Sequence, residues 1–131
     1  MRNNSIVTDL PEGVFGDVSF ELFILERVEM ITVHPSIILQ SKERLQNLTI
    51  GGGLEEFPWE VLPQLTRLYY LNLGGNSLTA LPPLQSPTLE YLILGNNFID
   101  ALEAGWSTPN LLQMLLCECY YVLFFFNGPF D

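Results

Sequence analysis

The sequence predicts a mixed α/β, mainly-β solenoid, a right-handed curved array of about five short repeats with a parallel sheet on its concave side. Three observations predict it. Leu68, Leu71, Leu73, Asn76 and Leu78 align without a gap on Leu89, Leu92, Leu94, Asn97 and Ile99, both in the pattern L-x-x-L-x-L-x-x-N-x-L/I. The same spacing recurs around this pair, so that repeats start near Phe20, Leu45, Leu68, Leu89 and Leu111, every 21 to 25 residues. Finally, 131 residues with 48% hydrophobic side chains make one domain, residues 1–131, with ample apolar surface to bury.

Taken in order, the chain is expected to open in mid-repeat. Leu10, Pro11, Gly13, Val14 and Phe15 read as the convex half of a repeat whose strand would precede residue 1, so residues 1–19 are a remnant and the chain a fragment. Phe20, Phe23, Leu25, Val28 and Met30 then fit the repeat loosely. His34 to Arg44, with Ile37, Ile38 and Leu39, is the longest candidate for a convex helix. Leu45, Leu48 and Ile50 form the next strand, followed by Gly53 in the asparagine position, with Leu54 and Phe57 one residue early. Phe57 to Leu65 suits one or two helical turns with Pro58 near the start and Leu62 and Leu65 turned to the core. After the Leu68 strand, Leu81 to Pro87 is short and proline-rich and suits an extended return. The Leu89 strand follows, and Leu111, Met114, Leu116 and Cys119 close the series.

The strand leucines enter the core and the residues between them face outward. The position eight after each first leucine reads Val28, Gly53, Asn76, Asn97, Cys119. An asparagine there donates its amide to backbone carbonyls freed by the turn, which would otherwise be buried unpaired. Asn76 and Asn97 therefore form a structural ladder that is good in the middle and poor at both ends, with Cys119 a small buried thiol.

The far end departs from the pattern. Leu111 to Phe126 is almost unbroken apolar sequence, short of the roughly 20 residues of a membrane span. It reads as a last repeat running into an atypical, sticky apolar end over residues 120–131, with a membrane anchor as the lesser alternative.

Composition excludes several functions. Fifteen acidic residues against five basic ones give a net charge of −10, and Arg2, Arg27, Lys42, Arg44 and Arg67 are scattered, which argues against nucleic acid. The one histidine, His34, lies at the start of a loop before Pro35 and has no companions for a metal site or an activated nucleophile. Cys117 and Cys119 are too few for a disulfide framework and lack two further metal ligands. Gly51 to Gly53 has no following Lys-Ser or Lys-Thr and is followed by Glu55 and Glu56, so it is no phosphate loop. Glu55, Glu56 and Glu60 read as a solvated edge with no pocket around them rather than as catalytic carboxylates. No enzyme activity, no cofactor and no metal are expected. The N-terminal residues carry no apolar stretch of the signal-peptide kind.

The motifs identify a resemblance to extracellular leucine-rich-repeat proteins. Within them, residues 10–20, 45–50 and 68–76 resemble a group of arthropod proteins typified by the non-catalytic subunit of the decapod shrimp luciferase, over roughly residues 3–116. That resemblance implies a secreted or cell-surface protein that binds or stabilises other proteins and has no active site of its own. On the concave sheet, the outward columns read Leu22, Asn47, Tyr70, Tyr91, Gln113, flanked by Glu21, Gln46, Tyr69, Glu90 and by Ile24, Thr49, Asn72, Ile93. Exposed Tyr69, Tyr70 and Tyr91 with Asn72 and Ile93 make a candidate patch for a protein partner; the same tyrosines equally suit stacking that supports the sheet. Asn47 and Asn3 match the N-glycosylation triplet. The functional expectation is a non-enzymatic protein-interaction module acting through its concave sheet. The alternatives are an accessory subunit of a secreted enzyme complex and a membrane-tethered receptor fragment.

Overall fold

The computed structural model describes residues 9–10, 13, 16, 18–27, 31–99 and 103–116. In chain order the elements are β1 (Asp9–Leu10), β2 (Leu22–Glu26), β3 (Thr32–Val33), α1 (Pro35–Leu39), β4 (Asn47–Gly51), a 3-10 helix (Trp59–Gln64), β5 (Tyr70–Asn72), β6 (Tyr91–Ile93) and β7 (Gln113–Leu115). Five strands make one sheet in the order β2-β4-β5-β6-β7, each pair parallel, while β1 and β3 form a separate parallel pair. A parallel sheet in sequence order with few helices is compatible with a β-rich solenoid.

The register follows from the leucine spacing. Phe23, Leu48, Leu71, Leu92 and Met114 stand side by side across the sheet, and all five are buried. Leu45, Leu68, Leu89 and Leu111 bury a second row, and Ile50, Leu73 and Leu94 a third. Each such side chain removed from water contributes about 1.5–3 kcal/mol, which is why segments of three to five residues hold as strands. One backbone pattern repeats at every junction. The carbonyls of Glu21, Gln46, Tyr69 and Glu90 each accept two successive amides from the next strand at 2.8–3.2 Å. The outer strand β2 is packed less completely, with Leu25 only partly buried.

The crossing segments cover the other side of this core. The helix expected from His34 to Arg44 is confined to Pro35–Leu39, capped by His34, whose Nδ1 accepts the Ser36 amide at 3.1 Å. Beyond Leu39 the chain tightens into i→i+3 turns. Buried Ser41 explains this: its carbonyl accepts the amides of Arg44 and Leu45, and its hydroxyl accepts the Phe20 amide at 2.7 Å. The turn at Ser41 thereby delivers Leu45 to the core. His34 is exposed as expected of a turn residue, but works as a helix cap. The second crossing is a 3-10 helix preceded by Pro58, with Val61, Leu62 and Leu65 buried. Pro63 inside it has no amide for an i→i−4 bond, which disfavours an α-helix. The third, from Leu81 to Pro87, has no helix; Leu81 and Leu84 are buried, and Gln85 bridges Ser107.

The pairing of β1 with β3 is absent from the sequence reading, which assigned Leu10 to a convex crossing. Asn3, Val28, Leu102, Cys117, Cys119 and the apolar end beyond Leu116 lie outside the described residues. Among the described residues no helix is long and apolar enough to cross a membrane.

Candidate functional site

The face of the sheet turned away from the leucine core is built from the residues between the leucines. Its first column is Leu22, Asn47, Tyr70, Tyr91 and Gln113, and its second is Ile24, Thr49, Asn72, Ile93 and Leu115, each a row of registered partners. Tyr70 and Tyr91 stand on adjacent strands with ring centroids 6.3 Å apart and planes tilted by 45°. That separation suits an attractive aromatic pair.

The face is less open than its sequence suggested. Tyr70, Tyr91, Asn72 and Ile93 are half-buried rather than exposed, because each is flanked by side chains two residues away and on both neighbouring strands. Thr49, expected to face outward, is only 7% exposed; its hydroxyl donates to Asn47 Oδ1 at 3.0 Å. Tyr69 keeps 41% of its surface, at the rim of the face. Two apolar residues that were in the columns but not in the patch are more open still, Leu22 at 55% and Ile24 at 50% on β2. Their signal was legible as apolar side chains at outward positions.

Past the second column, side chains give way to glycine. Gly51, Gly74 and Gly95 follow one another across the sheet, and a Cβ on Gly51 would stand 3.0 Å from the Gly74 carbonyl oxygen. This column floors a cavity of about 680 Å³ bounded by Asn72, Ile93 and Leu115 along the sheet and by Glu26 and Arg27 at one end. Asn72 is committed locally, accepting the Gly74 amide at 2.9 Å. One residue further on, Arg27, Gly52, Gly75 and Asn96 all have positive φ, at 61°, 145°, 76° and 58°. A left-handed residue therefore follows each of these four strands within three residues, and at Arg27 that conformation falls on a side chain that disfavours it.

Asn76 and Asn97 hold these strand ends together. Asn76 is 4% exposed; its Nδ2 donates to the carbonyls of Ile50 (2.7 Å) and Leu73 (2.8 Å). Its Oδ1 accepts the amides of Gly52, Gly53 and Leu54 at 3.1, 3.1 and 2.9 Å. Asn97 is half-buried, with Nδ2 donating to Leu73 and Leu94 carbonyls at 2.8 and 3.0 Å and Oδ1 accepting the Leu78 amide at 3.0 Å. Each carboxamide therefore acts both as donor to carbonyls and as acceptor of turn amides. Each asparagine thus joins its own turn to the preceding one.

Glu55 and Glu56, read from sequence as a solvated edge without a pocket, are exposed yet line a cavity of about 830 Å³ beside the strand ends. Glu60 is exposed on the 3-10 helix and is not among its lining residues.

No protein-family model and no solved structure matches the chain. Two curated proteins are similar to it. The non-catalytic subunit of Oplophorus-luciferin 2-monooxygenase from Oplophorus gracilirostris is 31% identical over 120 residues, 88% of this chain and 33% of that protein. Podocan from Mus musculus, a leucine-rich-repeat protein, is 46% identical over 54 residues, 40% of this chain and 9% of podocan. The chain therefore spans a third or less of the length of either relative. By these similarities the chain is leucine-rich-repeat-like.

Proposed function

We propose that the chain is a non-enzymatic protein-interaction module, a β-rich solenoid of about five repeats starting near residues 20, 45, 68, 89 and 111. Its contact surface is the outer, concave face of the sheet, centred on Tyr69, Tyr70, Asn72, Tyr91 and Ile93. The carrying observation is the Tyr70–Tyr91 pair at 6.3 Å next to the open Tyr69, with Leu22 and Ile24 open two strands away on the same sheet. Half-buried tyrosines lose little side-chain freedom on binding and present both an apolar ring and a hydroxyl, which is how aromatic hot spots work. A glycan on Asn47 would stand on this face, in register with Tyr70, and steer a protein contact toward Tyr70 and Tyr91. In this reading the protein acts outside the cell or at its surface.

A second reading is favoured by one comparison. A relative named a non-catalytic subunit suggests an accessory, stabilising component of an enzyme complex, in contact through edges rather than the sheet face. The double variant Tyr70→Ala/Tyr91→Ala separates the two. Capture of a protein partner from the tissue of origin should be lost by at least about tenfold while far-UV circular dichroism is unchanged. Undiminished capture by the folded double variant transfers the contact to the edges and supports the accessory role.

A further inference from the structure

Away from the sheet face, the segments after β4, β5 and β6 border a second, open concavity of different chemistry. Its walls include Glu55, Glu56 and Glu103, all exposed, together with Phe57, Trp59 and Phe98. Phe98 is 67% exposed, the most open of the large apolar side chains among the described residues. Trp59 is half-buried and held edge-on against buried Phe57, with centroids 4.9 Å apart and planes at 64°. Trp59 is thus fixed from behind by Phe57, while Trp59 and Phe98 both line the cavity. Backbone bonds fix the frame as well: the Ser77 amide donates to the Leu54 carbonyl at 2.7 Å and the Phe98 amide to the Leu78 carbonyl at 2.8 Å.

We propose that this cavity is a binding site for a basic segment of a partner protein, entered by an arginine or lysine side chain. The combination is what a cation requires: aromatic faces attract it through their quadrupole, and carboxylates neutralise it and accept its hydrogen bonds. Among the described residues the one ion pair is Arg44 with Glu21, so no described basic side chain neutralises these three carboxylates. A metal ion is a poor occupant, because no group of three acidic, histidine or cysteine residues among the described ones is close enough to hold it. The cavity's 830 Å³ exceeds the needs of a single small ion and suits a few residues of peptide. The net charge of −10 draws a basic chain toward the molecule, and the aromatic wall gives it one place to stop. This site is distinct from the tyrosine face and does not depend on that reading.

The test titrates the full chain with the peptide acetyl-Arg-Gly-Arg-Gly-Arg-amide, followed by intrinsic tryptophan fluorescence and calorimetry, against the same peptide with citrulline in place of arginine. Binding of the arginine peptide below about 1 mM is expected, with the citrulline peptide at least about tenfold weaker. Glu55→Gln/Glu56→Gln/Glu103→Gln and, separately, Phe98→Ala should each weaken it by about tenfold, while Glu26→Gln/Glu43→Gln/Glu90→Gln, with the same net charge as the first variant, changes it less than about twofold. Tyr70→Ala/Tyr91→Ala should bind the peptide as the unaltered chain does, which keeps this result separate from that of the sheet face. Equal losses in the two glutamine variants mean bulk attraction and overturn the proposal. Equal binding of the citrulline peptide, an unchanged Phe98→Ala, or no binding by the unaltered chain does so too.

Discussion

A single carboxamide, Asn76, bonds five backbone groups of two successive turns. Of these the Gly52 amide also reaches the Gly75 carbonyl and the Leu73 carbonyl also accepts from Asn97, so removal of the Asn76 carboxamide falls on the Gly53 and Leu54 amides and the Ile50 carbonyl. An unpaired buried polar group costs about 1–3 kcal/mol, and the Leu54 amide and the Ile50 carbonyl belong to buried residues. Asn76→Ala should therefore lower the unfolding free energy by about 3 kcal/mol or more, and Asn97→Ala, at a half-buried position, by about 1–2 kcal/mol, as read by urea denaturation. Comparable losses at the two sites would mean that burial does not set the cost. Arg27 works in the opposite sense. Its φ of 61° places a side chain where Gly52, Gly75 and Asn96 occupy the equivalent turns, and its exposure leaves it little packing to lose. Arg27→Gly should stabilise the chain by about 0.5–1 kcal/mol, the left-handed penalty less the entropy of an added glycine, seen as a higher urea midpoint.

Elements differ in how far they can be read without coordinates, and the physical reason differs for each. The register of β4, β5 and β6 is legible because a leucine every second or third position must reach the same core, and a slip of one residue would expose Leu48, Leu71 and Leu92 together. The shortness of α1 is not legible, since it depends on where the hydroxyl and carbonyl of Ser41 find partners, including Phe20 twenty-one residues earlier. Neither is the β1–β3 pair, because strands of two residues carry no alternation. Pro63 signals that the second crossing departs from an α-helix, and the structure resolves that signal as a 3-10 helix. On the sheet face, the tyrosines could be placed in a column from spacing alone, but their exposure is set by neighbours on three strands and had to be seen. The acidic-aromatic cavity was hidden for a related reason: Glu55 and Trp59 follow β4 while Phe98 and Glu103 follow β6, and no local motif joins them.

At the scale of the molecule, the sheet in sequence order means that each segment rests mainly on the one before and the one after. The proposed solenoid should then lose stability locally at its margin and globally at its centre. Leu92 is fully buried between β5 and β7, whereas Phe23 lies on the outer strand β2, next to β4 only. Leu92→Ala should cost about 2–5 kcal/mol, a large part of the stability of a small domain, because it opens a cavity in the row that links every strand. Phe23→Ala removes a larger ring, yet its effect should stay near β2. Hydrogen exchange distinguishes the two through the Leu73 and Leu94 amides, which donate to the Ile93 and Leu115 carbonyls at 2.8 and 2.7 Å. In Leu92→Ala both should exchange about 30-fold faster or more, while in Phe23→Ala both keep nearly their original protection as the amides paired between β2 and β4 lose theirs. Equal loss of protection at Leu94 in the two variants would show one cooperative unit. The nearest-neighbour account would then be wrong, and a contact made at β2 could be felt at β6.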